Sequence, residues 1–330
     1  MKKIQYSIWK KETNSAGGKA KNDAYEILRE LDFEASYNPS DKSFVRIIQQ
    51  ILSMRKLIGN KVLIIQYPAL KEFMLKLLLR FINHNDISVA LIHDLPSIQG
   101  MYDGDKKLEI AYLRHFTHLI VHNHHMAEYI KALGYQGRMV SIELFDYLHD
   151  VNREVAVSPF SNSISFAGNL KKSSFLMDIG KVRECKFNLY GIKGDLDFNN
   201  IKNVSYLGCL PSDEIVYNLD GDYGLIWDGD SIETCSGIYG KYLKYNNPHK
   251  LSLYIAAGKP VITWRYAAVA DFVISEQIGI VVDSLIELND MDLLENYEKM
   301  RENVLKIKAR IAKGEYLKTA VNKVLDDEGE

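Results

Sequence analysis

Short apolar runs alternate with longer segments of helical periodicity along the chain, a pattern typical of βαβ units around a parallel sheet. In the first half we predict strands at Ile4–Trp9, Val62–Gln66, Ser88–Ile92, His118–Val121 and Met139–Ile142. Helices are predicted between them at Ala20–Leu31, Phe44–Leu57, Leu70–Ile82 and Met126–Leu133. The last of these helices is followed by Gly134, a residue favoured where helices end.

The periodicity is lost from Phe145 to Asn162, and we predict a polar linker there. A second series follows, with strands at Ile164–Ala167, Phe187–Tyr190, Val204–Tyr206, Tyr223–Trp227, Pro260–Thr263 and Ile278–Val282. Helices are predicted at Asp213–Leu219, Pro248–Ala257 and Ala268–Ser275, and one long polar helix from about Leu293 to Leu325 closes the chain.

This pattern predicts an α/β protein with two Rossmann-like domains, over residues 1–150 and 151–310. The segment 311–330 is predicted as a C-terminal helix able to pack back on the first domain. Two such domains are expected to form a ligand cleft between the carboxyl ends of their strands. The loops that follow the strands are therefore expected to carry the chemistry.

Composition narrows the function classes. The 330 residues are 47% hydrophobic and 25% charged, and the formal net charge of −2 gives no electrostatic footprint for nucleic acid. The apolar run after Met1-Lys2-Lys3 is too short and too polar for a secretory signal, and no stretch reaches the ~20 apolar residues of a membrane span. Three cysteines without metal-ligand spacing suit a reducing compartment. We therefore expect a cytoplasmic protein.

The strongest chemical signal lies at Tyr245–Ile262. Asn247 is a favourable N-cap and Pro248 a favourable first helical residue, so the amide groups of this helix start are predicted to bind an anion. Lys250 lies in the first turn, where a cation opposes the helix dipole unless a diphosphate is bound there. The alternative is an ordinary cap followed by a solvated lysine.

A carboxylate-rich loop precedes this helix. Asp228, Asp230 and Glu233 follow a buried strand, and their oxygens can accept hydrogen bonds from the hydroxyls of a sugar. The Asp-x-Asp spacing also suggests a divalent metal, and a solvated turn is the simplest interpretation. The position of the loop before the diphosphate helix favours sugar binding.

The loop Asn14–Asp23 is predicted to join the first strand to the first helix. Gly17, Gly18 and Lys19 match neither a dinucleotide fingerprint nor a P-loop, so NAD and ATP are poorly supported. A loop that closes over the sugar or the acceptor fits better, and a flexible βα turn is the alternative.

A third loop, His93–Gly100, follows a predicted strand and contains candidates for a general base. We predict Asp94 as the first choice and His93 as the second, since either can take the proton of an acceptor hydroxyl. Alternatively, Asp94 only caps the loop and orients His93.

Two further features have simple interpretations. Five histidines crowd one short region, His115, His118, His122, His124 and His125. They lack the spacing of a zinc-binding helix, so structural or solvated histidines are favoured over a metal site. The basic amphipathic segment Lys71–Arg80 could contact an anionic membrane, but packing of its leucine face on the sheet is favoured.

Several blocks carry a family resemblance: Gly-Leu-Ile-Trp-Asp-Gly-Asp-Ser (224–231), Glu-Thr-Cys-Ser-Gly (233–237), Tyr-Leu-Lys (242–244), Asn-Asn-Pro-His-Lys (246–250), Ser-Leu-Tyr (252–254) and Ala-Asp-Phe (270–272). Weaker matches run along the whole chain. These residues resemble bacterial β-1,6-galactofuranosyltransferases of lipopolysaccharide O-antigen assembly. Glucosyltransferases that extend sugars on serine-rich-repeat adhesins look like more distant relatives.

The resemblance implies a GT-B fold, UDP-galactofuranose as the donor, inversion at the anomeric carbon and no obligatory metal. It implies an acceptor sugar on a lipid-linked polysaccharide intermediate, and therefore peripheral contact with the inner face of the membrane. Lys250 would hold the donor diphosphate together with Asn246 and Asn247, and Gly168, Asn169 and Lys171 or Lys172 would lie near the same phosphates. The residues Leu95-Pro96-Ser97 depart from the family pattern after His-Asp, so acceptor identity stays open.

Three alternatives remain at this point. A glucosyl- or galactopyranosyltransferase acting on a glycan or glycoprotein differs only in the sugar. A non-catalytic subunit that binds a nucleotide-sugar and assists a partner glycosyltransferase stays an alternative, although the intact carboxylates and Lys250 argue against it. An epimerase or dehydrogenase would need a glycine fingerprint for NAD, which the sequence lacks. The sequence does not determine the linkage position or the oligomeric state.

Overall fold

The computed structural model describes residues 1–6, 16–36, 43–68, 72–99, 105–153 and 159–326. The chain divides into two compact units. The first contains the opening strand, Gly17–Leu144 and the segment from Gly314 onward, and the second contains Phe145–Lys313. Each unit has a six-stranded parallel sheet with helices, so the predicted α/β class is confirmed.

The strands of the first unit are β1 (Lys2–Tyr6), β2 (Glu34–Ala35), β3 (Lys61–Tyr67), β4 (Ile87–Ile92), β5 (His118–Val121) and β6 (Arg138–Ser141). Its helices up to residue 144 are α1 (Ala16–Glu30), α2 (Ser43–Ser53), α3 (Glu72–Leu79), α4 (Lys106–Leu113) and α5 (His124–Ala132). The strand order is β2-β1-β3-β4-β5-β6. Every residue of β3 and β4 is buried, as continuous apolar runs in a parallel sheet require.

The second unit contains the strands β7 (Ser163–Ala167), β8 (Lys186–Tyr190), β9 (Val204–Tyr206), β10 (Tyr223–Ile226), β11 (Val261–Trp264) and β12 (Gly279–Val282). Its helices are α6 (Ser212–Asn218), α7 (Gly237–Tyr242), α8 (His249–Ala256), α9 (Ala270–Ser275) and α10 (Tyr297–Ile311). The order β12-β11-β10-β7-β8-β9 is that of doubly wound nucleotide-binding sheets. In such a sheet the strand order reverses between the first and fourth strands, here β7 and β10.

The predicted loop around Gly17, Gly18 and Lys19 is wrong where the structure describes it. These three residues lie in the first turn of α1, while Ser7–Trp9, Asn14 and Ser15 lie outside the described residues. The residues of α1 that are buried, Ala20, Ala24, Ile27 and Leu28, are spaced by one, three or four positions and lie within the predicted helix. The added first turn contributes the buried Lys19, which pairs with Asp23 one turn later.

The predicted linker at 145–162 is also wrong in its first part. The Tyr147 ring is buried and stacks on His249, with 5.1 Å between the ring centroids. The Phe145 carbonyl accepts a hydrogen bond of 2.6 Å from Ser252 Oγ in α8. The segment lacks periodicity, yet its aromatic side chains bury enough apolar surface to join it to the second unit. Residues 154–158 lie outside the described part of the chain.

The single helix predicted at Leu293–Leu325 is two helices, α10 and α11 (Glu315–Asp326). Gly314 separates them with a φ of +71°, and a Cβ there would approach Ile27 Cγ1 to 2.6 Å. The chain therefore turns at the one residue without a side chain. After this turn α11 packs on β5 and β6, and Lys318 forms a 2.6 Å ion pair with Glu30 of α1.

Among the residues that the structure describes, none of the helices combines the length and the apolar content that crossing a bilayer requires.

Candidate active site

Lys250 lies at the carboxyl edge of the second sheet, where the strand order reverses. Its Nζ is 2.8 Å from Asp228 Oδ1 and 3.3 Å from the Trp227 carbonyl oxygen, just beyond β10. Gly168 follows β7 on the other side, and a Cβ there would approach Lys250 Cε to 3.1 Å. Ligands of doubly wound sheets bind at this position. The structure thus brings together Lys250, Asp228 and Gly168, which lie far apart in the sequence.

Tyr254 bridges the two central strands of the sheet close to Lys250. β7 and β10 pair only at Ile164–Tyr223 and Ser165–Gly224, and they separate before their carboxyl ends. The Tyr254 hydroxyl takes the place of the missing ladder, accepting from Ala167 N–H at 2.9 Å and donating to Leu225 O at 3.1 Å. Backbone groups that would otherwise be buried and unpaired are therefore satisfied.

The ring of Tyr254 also dictates a glycine. A Cβ on Gly224 would overlap the ring, so β10 can pass beneath α8 only with glycine at that position. Lys250 lies one helical turn before Tyr254, and residues spaced by four positions share a helix face. The i,i+4 spacing of Lys250 and Tyr254 is visible in the sequence and is the signal that could have predicted Tyr254 as a neighbour of the site.

The ammonium group of Lys250 is held by more than its ion pair. Its Nζ lies 4.4 Å from the centroid of the buried Phe166 ring, a cation–π contact. The side chains of Lys250 and Asp228 are only 15% and 23% exposed. Partial burial strengthens electrostatic interactions, so a diphosphate at this position would feel a well-localised positive charge. Phe166 is a site residue that sequence reasoning missed, because an apolar strand position carries no chemical signal.

The start of α8 differs slightly from the prediction. Pro248 occupies the N-cap position with extended backbone, and no side chain caps the helix, whereas Asn247 was expected in that role. Asn247 is buried, and the buried Oδ1 of Asn246 has no hydrogen-bond donor among the described residues. The first amide groups of a helix have no intrahelical acceptor, so this uncapped start leaves donors beside Lys250.

The segment after β7 forms a short 3-10 turn at Leu170–Lys172. Asn169 caps it by accepting a 3.2 Å hydrogen bond from Lys171 N–H. Lys172 Nζ lies 4.6 Å from the centroid of the Tyr239 ring in α7. Gly168 therefore borders Lys250, whereas Lys172 lies against α7.

The three carboxylates predicted to bind sugar hydroxyls have different neighbours. Asp228 holds Lys250, and Asp230 Oδ1 accepts a 3.1 Å hydrogen bond from Ser174 Oγ on the β7 side. Glu233 Oε2 instead accepts from Ser284 Oγ at 3.0 Å, beyond β12. The loop thus spreads its carboxylates along the edge of the sheet rather than clustering them.

In the first unit, His93 and Asp94 follow β4. His93 is buried, and its Nε2 lies 2.9 Å from Gln66 Oε1 on β3. The Gln66 amide nitrogen donates to Lys21 O at 3.1 Å, so its oxygen accepts from His93 Nε2–H. The lone pair of the neutral ring is then on Nδ1, as a general base requires. Asp94 Oδ1 accepts a 2.7 Å hydrogen bond from Gln99 Nε2.

Two buried groups hold this loop: His122, one of the histidines for which a structural or solvated role was predicted, and Glu109, which sequence reasoning missed. His122 is completely buried and donates to the carbonyl of Ile92 at 3.1 Å. Glu109 of α4, a helix that the sequence did not predict, accepts from Ser97 Oγ, from Ser97 N–H at 3.3 Å and from Tyr67 O–H at 3.3 Å. Burial raises the pKa of Glu109, although the bonds from Ser97 and Tyr67 oppose the shift. Both groups fix backbone beside His93 and Asp94.

Lys19 does not lie in an open loop. Its Nζ forms a 2.6 Å ion pair with Asp23 Oδ1 one turn later in α1, and both side chains are buried. Gly18 is half-buried and Gly17 is exposed. Gly17, Gly18 and Lys19 were predicted to lie in a loop that closes over the donor or acceptor, but they lie in the helix α1.

Family comparisons agree with this architecture. The model of the glucosyltransferase 3-like N-terminal domain matches residues 3–144, and that of the glucosyltransferase 3-like C-terminal domain matches residues 164–324. The β-1,6-galactofuranosyltransferase WbbI of Escherichia coli K12 is 36% identical over 94% of this chain and 95% of its own. Glucosyltransferase 3 of Streptococcus gordonii is 26% identical over 70% of this chain and 68% of its own.

Solved structures share the fold at low sequence identity. Anabaena HepE, in complex with UDP and glucose, has a TM-score of 0.61 with 11% identity, and the match covers 100% of both chains. Sucrose-phosphate synthase from Thermosynechococcus elongatus has a TM-score of 0.56 with 13% identity, covering 89% of this chain and 80% of its own. The predicted GT-B fold is thereby confirmed.

We predict that His122 stays neutral well below the usual range. Burial lowers its pKa to about 4 from an ordinary 6.5, although bonds to the Ile92 and His93 carbonyls raise it. Between pH 6.5 and about 4, His122 is therefore protonated in the unfolded chain but not in the folded chain. The free energy of unfolding falls as the pH falls through this range, by at most about 1.4 kcal/mol per pH unit.

Histidine-selective NMR between pH 7.5 and 5 tests this directly, because the chemical shift of the His122 ring should stay constant over this range. Urea unfolding at pH 7 and pH 5 should show a smaller loss of stability for His122→Gln than for the wild type. A His122 signal that titrates near pH 6.5 would contradict the prediction.

Proposed function

Because this chain belongs to the glucosyltransferase 3-like family of glycosyltransferases, we propose that it transfers galactofuranose from UDP-galactofuranose to a sugar acceptor on a lipid-linked polysaccharide precursor. The 36% identity to a β-1,6-galactofuranosyltransferase over 94% of the chain supports galactofuranose as the transferred sugar. A lipid-linked acceptor would bring the enzyme to the inner face of the membrane.

The position of Lys250 carries the proposal. Its ammonium group lies where the sheet order reverses, beside the uncapped start of α8 and against Gly168, which has no side chain to block a phosphate. As the bond from the anomeric carbon to the diphosphate breaks, negative charge grows on the leaving UDP. A fixed cation and helix amide groups stabilise that charge in the transition state.

We propose inversion by a single displacement. The acceptor hydroxyl attacks the anomeric carbon of an α-linked donor, the bond to UDP breaks, and the hydroxyl proton passes to a base, giving a β-linked product. One base suffices for this reaction, and the first unit offers Asp94 and His93. Gln66 supports His93 in this role, because it fixes the ring with its lone pair on Nδ1.

The same geometry supports a reaction without an obligatory metal. Lys250 supplies the positive charge that a divalent ion would otherwise provide at the diphosphate. Asp228 is paired with Lys250, and Asp230 and Glu233 have different hydrogen-bond partners. Asp230 and Glu233 are left to accept hydrogen bonds from sugar hydroxyls.

A second candidate is transfer of glucose from UDP-glucose. Glucosyltransferase 3 of S. gordonii, which is 26% identical, favours it. The proposed diphosphate site would be the same for both donors, because both carry the same UDP group. An assay that compares sugar donors is therefore needed to distinguish the two candidate functions.

We expect the purified enzyme to transfer sugar from UDP-galactofuranose and not from UDP-galactopyranose or UDP-glucose. The assay uses simple glycoside acceptors with and without EDTA, and NMR of the product should show a β-linked galactofuranoside. Transfer only from a pyranose donor would replace galactofuranose by that sugar in the proposal. Complete loss of activity in EDTA would contradict the metal-free reaction.

Lys250→Ala is expected to weaken UDP binding about 10–100-fold, since a charge-assisted hydrogen bond contributes roughly 1.5–3 kcal/mol. Gly168→Ala should weaken binding less, and only when Lys250 is present, because the added Cβ acts by displacing the Lys250 side chain. Isothermal titration calorimetry with UDP measures both effects. Lys186→Ala, with the same loss of charge at the exposed amino end of β8, is the matched control. Unchanged affinity in Lys250→Ala would remove this residue from the site.

Asp94→Asn and His93→Gln separate the two candidate bases. The variant that removes the base should keep its UDP affinity and lose about 10²–10⁴-fold in turnover. The other variant should lose less, because it perturbs only the position of the base. Near-normal turnover in both variants would place the base elsewhere, and no turnover by the wild type despite donor binding would favour a non-catalytic subunit.

A further inference from the structure

A cavity lies in the second unit, at the opposite edge of the sheet from Lys250. Its volume is about 870 Å³, and it opens at the amino ends of β7 and β10 and at the residues before β11. These strands have four or five residues at about 3.3 Å each, so the two edges are about 13–16 Å apart. The proposed transfer reaction uses no residue of this cavity.

Three cationic side chains line the cavity, Lys259, Arg301 and Lys308. Lys259 is 9% exposed, and its ammonium group donates to the Gly221 carbonyl. Arg301 and Lys308 are seven residues apart in α10 and therefore lie on the same helix face. Burial lowers the pKa of Lys259 and of Lys308, and repulsion from Arg301 adds to the shift at both. Three cations thus share one partly desolvated space.

Three carboxylates line the same cavity, Asp220, Asp222 and Glu298, but they are not distributed evenly over the three cations. Asp222 Oδ2 already accepts from both Ser161 and Ser163, including 2.8 Å from Ser163 N–H. Glu298 lies 3.7 Å from Arg301, and its side chain is 74% exposed. Asp220 and Asp222 raise the pKa of Lys259, whereas among the described residues no carboxylate forms an ion pair with Lys308 or raises its pKa. An anion between Arg301 and Lys308 would relieve their repulsion.

Aromatic rings line the same cavity. Phe160 meets Tyr297 edge to face with 5.0 Å between the ring centroids, and Tyr297 O–H donates to Asp222 O at 3.4 Å. Tyr297 lies four residues before Arg301 in α10, so this ring and the guanidinium share a helix face. The cavity has the size of sites that bind small organic molecules, about 300–1,000 Å³. Cations and rings in one cavity suit a molecule with an anionic end and a larger remainder.

We propose that this cavity binds the phosphate group of a small phosphorylated ligand through Lys259, Arg301 and Lys308. Phosphate suits this arrangement, because its several oxygens accept from a guanidinium and two ammonium groups at once. The phosphate belongs either to a soluble metabolite or to a lipid headgroup, and the two sources present the same chemistry to the three cations. The site is independent of the donor diphosphate at Lys250.

Titration with inorganic pyrophosphate tests the proposal in the full chain carrying Lys250→Ala, which disables the donor site. Adding Arg301→Gln with Lys308→Gln should weaken pyrophosphate binding at least about tenfold, the effect of one lost charge-assisted hydrogen bond. The matched control is Lys299→Gln with Lys306→Gln, two exposed lysines at the same spacing on α10. Thermal unfolding verifies that all variants are folded.

A second arm measures co-sedimentation with phosphatidylcholine vesicles that contain phosphatidic acid. In either experiment, weaker binding by the Arg301→Gln/Lys308→Gln variant than by its Lys299→Gln/Lys306→Gln control supports the proposed site. Weaker binding of pyrophosphate identifies a soluble ligand, and weaker binding of vesicles alone identifies a lipid headgroup. Equal binding by the two double variants in both arms, or no binding by the parent protein in either, would overturn the proposal.

Discussion

The donor side of this enzyme depends on one tyrosine hydroxyl between two strands that separate. Where the strand order of a parallel sheet reverses, the carboxyl ends of the neighbouring strands separate and leave backbone groups without a ladder partner. Tyr254 satisfies the Ala167 amide and the Leu225 carbonyl together, and Gly224 makes room for its ring. The same helix then places Lys250 one turn earlier, beside Asp228 and the Trp227 carbonyl. A requirement of the fold thus also positions the charge.

The two units prepare their chemistry in opposite ways. The second unit concentrates charge, with an ammonium group held by Asp228, a carbonyl and the Phe166 ring. In the first unit, burial lowers the pKa of His122 and raises that of Glu109, so it disfavours the charged form of both groups that hold the loop after β4.

Relatives that transfer different sugars can share this arrangement. In the proposed function the features around Lys250 bind the diphosphate, which a UDP-furanose and a UDP-pyranose present alike. Discrimination would then come from groups that meet the ring hydroxyls. The two carboxylates proposed for this role have separate partners along the sheet edge, Ser174 for Asp230 and Ser284 for Glu233.

Local patterns determined much of this protein. Apolar runs along the sequence predicted ten of the twelve strands in the described part of the chain with nearly the observed bounds. The prediction missed the two-residue β2 and placed the start of β1 too late in the sequence. The unfavourable charge of Lys250 in a helix start was also visible in the sequence. Tertiary structure alone decided that Phe145 and Tyr147 join the second unit, that the chain turns at Gly314, and that Tyr254 and Phe166 surround the lysine. Periodicity and helix dipoles act over a few neighbouring residues, whereas these contacts join side chains that are distant in sequence and become stabilising only when the sheet brings them together.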